Sequence, residues 1–252
     1  MNKRIDLNCD LGEWKTNDGA LRDEAIMPFI SSCNIACGGH IGDEESMRYT
    51  IQLARKFGVS IGAHPSYPDI ENFGRVVMNI SPSELKKSLE DQLNKFTRFV
   101  KEEGGMLHHI KPHGALYNHA AKDKGTAEIV ISAIKEFDKH IPIYLPSNSV
   151  SKAVAVNNGL KVVDEVFADR AYEDDLSLRS RKLDSSILED EADVISQLQS
   201  MIFKKEVLTY SGKLKSIKAE TVCLHSDTNG AIHLAKLINE FLRKNGVEII
   251  SA

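Results

Sequence analysis

The sequence lacks several features that would place a protein in a class at once. Its 252 residues contain no run of about eighteen apolar residues and no apolar signal segment at the start, so we expect a cytoplasmic protein with no membrane part. No block of like charges occurs, and a formal net charge of -4 gives no reason to expect nucleic acid as a partner. The absence of a Gly/Pro/Ser-rich linker favours a single domain over residues 1–252.

Cysteine is also scarce, and each of the four lies within or at the end of an apolar run: Cys9, Cys33, Cys37 and Cys223. This placement is typical of reduced, buried thiols. Cys33 and Cys37 have a spacing found in some zinc sites, but no second pair of cysteines follows, and structural zinc usually needs about four ligands. We therefore expect structural thiols.

What the chain does contain is an alternation of short apolar runs with segments of helical spacing, repeated about seven times. The runs predict strands at 5–11, 31–37, 59–63, 106–110, 141–145, 159–167 and 221–225. Such an alternation predicts a parallel sheet covered by helices. Because polar residues follow nearly every run, a TIM-like barrel with its site at the carboxyl ends of the strands fits better than a doubly wound sheet.

The first predicted strand alternates strictly, with Asp6, Asn8 and Asp10 on one face and apolar residues on the other. On a surface strand this polar face would meet water. In a closed barrel it would point into the lumen, where a functional site or a hydrogen-bond network must satisfy its polar groups.

Histidines follow four of the predicted strands, at His40, His64, His113 and His225, and Asp10 ends a fifth. One loop histidine carries little information, but five such groups converge if the barrel forms, so we interpret them as catalytic.

Two chemistries could use this ring of side chains. In the first, Asp10, His40, His64 and His113 hold a divalent metal, which lowers the pKa of a bound water toward ~7. In the second, the same groups act as general acids and bases around a small amide or lactam, while Lys111 or an arginine holds an anionic group. The sequence leaves both open.

Six long motifs in chain order give a more specific indication. They are Asp6-Leu-Asn-Cys-Asp-Leu-Gly-Glu13, Asn34-Ile-Ala-Cys-Gly-Gly-His40, Gly62-Ala-His-Pro-Ser-Tyr67, Lys111-Pro-His-Gly-Ala-Leu-Tyr-Asn118, Glu165-Val-Phe-Ala-Asp-Arg-Ala-Tyr172 and Cys223-Leu-His225. Together they resemble the successive signatures of the LamB/YcsF family and span nearly the whole chain.

The resemblance implies a seven-stranded parallel β/α barrel of the glycoside hydrolase/deacetylase type. It also implies ATP-dependent opening of 5-oxo-L-proline to L-glutamate, with ATP and Mg²⁺ as cofactors and two partner subunits, B and C. Contacts to the substrate or to phosphate are assigned to Asp6, Asn8, Glu13, Lys111, Tyr117, Asn118, Asp169, Arg170 and Asp227. Since the chain has no Walker-type loop, ATP would bind at another loop or at a surface shared with the partners.

Two positions depart from the family pattern and leave alternatives open. Gly39 stands where a phenylalanine is expected, and Ser226 stands where a glycine is expected. Both bear on substrate detail more than on reaction class.

The main alternative function is a metal-dependent amidohydrolase or deacetylase that acts alone. A second alternative is a non-catalytic module that binds a carbohydrate or a lactam.

Overall fold

The computed structural model describes residues 3–226 and 230–252, and its centre is a closed barrel of seven parallel strands, as the sequence predicted. The barrel strands are β1 (Lys3–Leu11), β2 (Ser32–Ala36), β3 (Ser60–His64), β4 (Leu107–Ile110), β5 (Ile143–Pro146), β6 (Val162–Phe167) and β9 (Thr221–His225). Neighbouring strands pair in this order, and β9 closes the barrel by pairing with β1 from Asp6 to Asp10.

Helices cover the outside of the barrel, and local sequence signals fix several of their ends. They are α1 (Asn17–Ile26), α2 (Glu44–Phe57), α3 (Pro82–Glu102), α4 (Gly114–Ala120), α5 (Lys124–Asp138), α6 (Val150–Asn157), α7 (Glu191–Gln199) and α8 (Ala231–Lys244). Capping boxes at Asp43 and Ser81 start α2 and α3. Gly58 ends α2 in the left-handed conformation, at φ 69°.

Three smaller elements complete the description. An antiparallel hairpin is formed by β7 (Glu206–Leu208) and β8 (Leu214–Ser216). A short strand that the sequence did not predict, β10 (Val247–Ile249), pairs with the start of β1. The segment 111–118 runs into α4 at Gly114, whose left-handed φ of 53° turns the chain after Pro112.

The first strand shows how the barrel is filled. Leu7 and Leu11 are fully buried on its outer face, against the helices. The three polar residues of its inner face are buried as well, so the lumen is a polar network. All four cysteines are free thiols and buried, as expected. Among the described residues, no helix has the length and apolar character needed to cross a membrane.

Candidate active site

Five titratable side chains meet at the carboxyl ends of β1 to β4, and we call them the histidine–carboxylate cluster: Asp10, Glu13, His40, His64 and His113. Parallel strands bring their carboxyl ends to one face of a barrel, which is why residues far apart in sequence converge here. His64 Nε2 lies 3.3 Å from an Asp10 carboxylate oxygen, and His113 Nδ1 lies 3.2 Å from Glu13 Oε1. His40 Nε2 lies 2.9 Å from the same Glu13 oxygen.

Two backbone carbonyls set the orientation of the central imidazoles. His64 Nδ1 is 2.7 Å from the carbonyl oxygen of Lys111, and His113 Nε2 is 3.0 Å from that of Phe73. A carbonyl can only accept a hydrogen bond, so each of these nitrogens carries a hydrogen. The remaining nitrogens, His64 Nε2 and His113 Nδ1, face each other at 3.0 Å and present lone pairs when the rings are neutral.

His40 contacts both His113 and Glu13 of the cluster. Its ring stacks on that of His113 with a centroid separation of 3.6 Å. Burial, together with the nearby His113, lowers the pKa of His40 to about 4, so the ring is neutral near pH 7. A neutral His40 donates its Nε2 hydrogen to Glu13, and its buried Nδ1 has no hydrogen-bond partner among the described residues.

The two carboxylates of the cluster are both ionised. Burial by itself would raise the pKa of Asp10, but His64 and Lys111 outweigh it and hold that pKa well below its usual range. Burial opposes the ionisation of Glu13 too, and the adjacent His113 and His40 bring its pKa well below the usual range. The cluster therefore combines two carboxylates with two imidazole nitrogens that face each other.

Lys111 lies inside the barrel and joins this cluster to a second carboxylate. Its Nζ donates to Asp10 at 2.9 Å, lies 3.0 Å from a Glu165 oxygen and donates to the Cys223 thiol at 3.0 Å. Burial lowers the pKa of a lysine, but here the neighbouring Asp10, Cys223 and Glu165 raise it well above its ordinary value. From the sequence, Lys111 was expected to hold an anionic substrate group, whereas its ammonium is buried and already bound to protein groups.

Glu165 accepts hydrogen bonds from a helix and from a strand. Tyr117 Oη donates to one of its oxygens at 2.6 Å, and Asn8 Nδ2 donates to the other at 3.0 Å. Burial raises the pKa of Tyr117 well above its ordinary value, with Glu165 adding to the effect, so the phenol stays protonated as a donor. No role was predicted for Glu165, although it begins the fifth family-like motif.

His225 and Asp169 form a second pair beside Asp10, because β9 pairs with β1 and places His225 opposite Asp10 in the register. His225 Nδ1 lies 3.0 Å from Asp169, and the imidazole stacks on Phe167 with a centroid separation of 5.7 Å. Potential ligand atoms of His225, Asp10 and Cys223 lie within 4.8 Å of one another, so the pair adjoins the histidine–carboxylate cluster.

The other predicted site residues have different surroundings. Arg170 donates through Nε to the carbonyl of Ser186 and through Nη2 to that of Arg179, and its guanidinium is buried. Asp6 lies deeper in the lumen, among hydroxyl groups. Asn118 donates to the carbonyl of Gly114 one turn earlier in α4. The predicted Asp227 lies outside the described residues.

The predicted metal ligands do not form one group. Within the described residues, Asp10, His64 and His113 form one set whose potential ligand atoms lie within 4.8 Å of one another, and Glu13, His40 and His113 form another. Glu13, which was predicted to contact the substrate, belongs to the cluster. The carbonyl of Phe73 was not predicted at all, because no side-chain pattern indicates which backbone oxygen will reach an imidazole.

A cavity of about 320 Å³ opens beside this network. Glu165 and Phe167 of β6 contribute to its walls, together with Tyr172, Ser147 and Asn118. Its size falls in the lower part of the range of ~300–1,000 Å³ that is typical of small-molecule sites. Since Glu165 is bound to Lys111, and Lys111 to Asp10, the cavity and the cluster share one electrostatic network.

The fold and the site define a β/α-barrel protein whose titratable groups lie where barrel enzymes carry their active sites. The LamB/YcsF family description matches residues 5–252, so the chain belongs to the LamB/YcsF family.

Full-length relatives agree with this assignment. A Geobacillus thermodenitrificans chain named as the A subunit of 5-oxoprolinase is 42% identical over 249 residues, covering 98% of this chain and 96% of that one. A Staphylococcus epidermidis chain of the same name is 41% identical and covers 100% of both. The crystal structure of a lactam utilization protein from Thermus thermophilus has a TM-score of 0.92 at 35% identity, covering 99% of this chain and 100% of that one.

Proposed function

We propose that the chain is the part of a 5-oxoprolinase that opens 5-oxo-L-proline to L-glutamate with ATP, as one catalytic domain working with two other subunits. The observation that carries the proposal is the full-length similarity to chains named as the A subunit of 5-oxoprolinase. The name of the Thermus thermophilus protein, which refers to lactam utilization, supports a cyclic amide as the substrate.

The chemistry of the substrate explains why ATP is required. A five-membered lactam is an unstrained amide, so its hydrolysis has little driving force of its own. Transfer of the ATP γ-phosphoryl group to the amide oxygen, with release of ADP, would make the amide carbon electrophilic. Addition of water to that carbon would then break the ring C–N bond, with a proton passing to the nitrogen, and a second water would hydrolyse the resulting acyl phosphate to the carboxylate and phosphate. The nucleotide would bind at a loop of this chain or at a surface shared with the other subunits.

The described residues supply proton-transfer groups for such a reaction. Asp169 accepts the Nδ1 hydrogen of His225, which leaves Nε2 of that ring to take a proton from an attacking water. Burial opposes the ionisation of Asp169, but His225 and Arg170 outweigh it and lower the pKa of this carboxyl group, which suits it to the role. His225 is thus the general base of the proposed reaction, and Asp169 orients it.

The histidine–carboxylate cluster fits a divalent metal. Two imidazole lone pairs at 3.0 Å from each other, beside two ionised carboxylates, require a cation between them, either a proton or a metal ion. Asp10, His64 and His113 would hold the metal, and Glu13, which His40 orients, adjoins His113. A metal bound there would polarise the amide carbonyl or acidify a water.

Metal content tests this part of the proposal directly. We expect the purified chain to contain close to one equivalent of a divalent metal by elemental analysis, and His113→Ala to lose it. His119→Asn is the matched control, because His119 contacts Tyr67 and Thr126 outside the cluster. Retention of the metal by the His113 variant would contradict the site.

The function itself is tested by assembling the chain with the two other subunits and measuring glutamate from 5-oxoproline with and without ATP. We expect formation to require ATP and all three chains. Hydrolysis of amides or acetyl groups by the isolated chain, with metal and without ATP, would instead support the stand-alone amidohydrolase or deacetylase. Binding without any turnover would support the non-catalytic module.

A further inference from the structure

The cavity beside Glu165 contains one lining cation among the described residues, Lys122, at its outer rim. Lys122 follows α4, and its Nζ lies 3.5 Å from an oxygen of Asp175, which also lines the cavity. Both side chains are more than half exposed, at 58% and 62%. An ion pair this exposed is weak, so another carboxylate can replace Asp175 at little cost.

The two cations that the sequence offered as anion holders are already bound within the protein. Lys111 is bound to Asp10 and Glu165 in the lumen, and Arg170 donates to two backbone carbonyls. The cation available to pair with the carboxylate of a ligand in the cavity is therefore Lys122.

The inner part of the cavity suits a small ring. Phe167 and Tyr172 supply aromatic surface, and Ser147 and Asn118 supply polar groups. At the inner wall, Lys111 neutralises the charge of Glu165, and the oxygens of Glu165 accept hydrogen bonds from Tyr117 and Asn8. Phe167 also stacks on His225, so a ring that lines the cavity contacts the general base of the proposed reaction.

We infer that this cavity binds the carboxylated lactam, with its ring against Phe167 and Tyr172 and its carboxylate on Lys122 in place of Asp175. The inference rests on the proposed function and adds to it the residue that recognises the anionic group. Asp175 then acts as an internal competitor that occupies Lys122 until the substrate arrives.

Kinetics of the assembled three-subunit enzyme provide the first test. Lys122→Gln should raise KM for 5-oxoproline about tenfold and leave kcat nearly unchanged, because Lys122 binds ground state and transition state alike. Asp175→Asn should lower KM about two- to threefold by removing the competitor. Lys124→Gln is the control, since this neighbouring exposed lysine pairs with Glu128 and does not line the cavity.

Binding to the full chain alone provides the second test and does not depend on turnover. Ligand-observed NMR would compare 5-oxoproline with pyrrolidinone, the same ring without the carboxylate. Lys122→Gln should weaken binding of 5-oxoproline about tenfold and leave pyrrolidinone unchanged, because only the former offers a charge to the lysine.

The two tests fail in distinguishable ways. Equal binding of 5-oxoproline by wild type and Lys122→Gln, or no binding by the wild-type chain, would overturn the inference even if the assembled enzyme is active. Absence of ATP-dependent turnover in the wild-type complex would refute the proposed function, and the binding comparison would still decide the role of Lys122.

Discussion

Asp6 and Asp10 lie on the same inner face of β1, both buried, yet the surroundings of Asp6 are neutral and those of Asp10 are positively charged. Asp6 accepts hydrogen bonds from Ser31, Ser32 and Thr221, all neutral hydroxyls. Burial therefore dominates, and the pKa of Asp6 is raised above its ordinary value. Burial acts on Asp10 in the same direction, but the neighbouring His64 and Lys111 outweigh it and lower the pKa of Asp10.

The difference separates two levels of the lumen. At the lower level, hydroxyl groups satisfy a carboxyl group without any cation, which suits a structural role. At the upper level, a lysine and several imidazoles keep carboxylates ionised. The adjacent imidazole nitrogens can bind a metal ion or transfer a proton, which suits a catalytic role. Position along one strand, and not residue type, decides which role an aspartate has.

The largest expected effect comes from exchanging each of these aspartates for asparagine. Asp10→Asn should lower kcat of the assembled enzyme by about 10³-fold, in the range seen when a group of the acid–base machinery is removed. Asp6→Asn should keep kcat within about threefold, because its partners are neutral hydroxyls below the site. Glutamate formation measures both, and circular dichroism confirms folding. Comparable losses in the two variants would refute the division into levels.

The next largest effect concerns Lys111, the lysine of the upper level. Lys111→Met should lower the free energy of unfolding by about 3–5 kcal/mol, because it leaves Asp10 and Glu165 as buried carboxylates without a cation. Urea denaturation of the chain measures the change. The control, Lys124→Met, removes an exposed amine that pairs only within α5 and should leave stability unchanged. A loss below about 1 kcal/mol for Lys111→Met would indicate that the charges are already solvated.

Much of this arrangement could be predicted from the sequence. The strict alternation along β1 placed Asp6 and Asp10 on one face, and strand–helix alternation predicted the barrel. Because a parallel barrel gathers its carboxyl strand ends, the convergence of His64 and His113 with Asp10 followed from topology.

The rest depended on long-range geometry that no local pattern encodes. A lysine at a strand end is usually solvated, and Lys111 is buried only because Asp10 and Glu165 reach it from other strands. Phe73 adopts a left-handed φ of 55°, and its carbonyl fixes the His113 ring. The next residue must be Gly74, since a Cβ there would lie 2.9 Å from the Cβ of His40.

The smallest expected effect is the contribution of Asp6 to the pH dependence of stability. Its folded pKa is raised above 3.8, so the folded state holds a proton that the unfolded state has released, and stability falls as pH rises from 3.8 to the folded value. The wild type loses about 1.4 kcal/mol of stability for each pKa unit by which the pKa of Asp6 is raised. Asp6→Asn has no carboxyl group to ionise, so the stability of this variant relative to wild type should increase with pH across that interval. Urea denaturation from pH 3.5 to pH 8, on wild type, Asp6→Asn and the exposed control Asp18→Asn, measures the difference over roughly that range. A relative stability that stays constant with pH would mean that the hydroxyls of Ser31, Ser32 and Thr221 already compensate for burial, and that the lower level tolerates a charge as well as the upper one does.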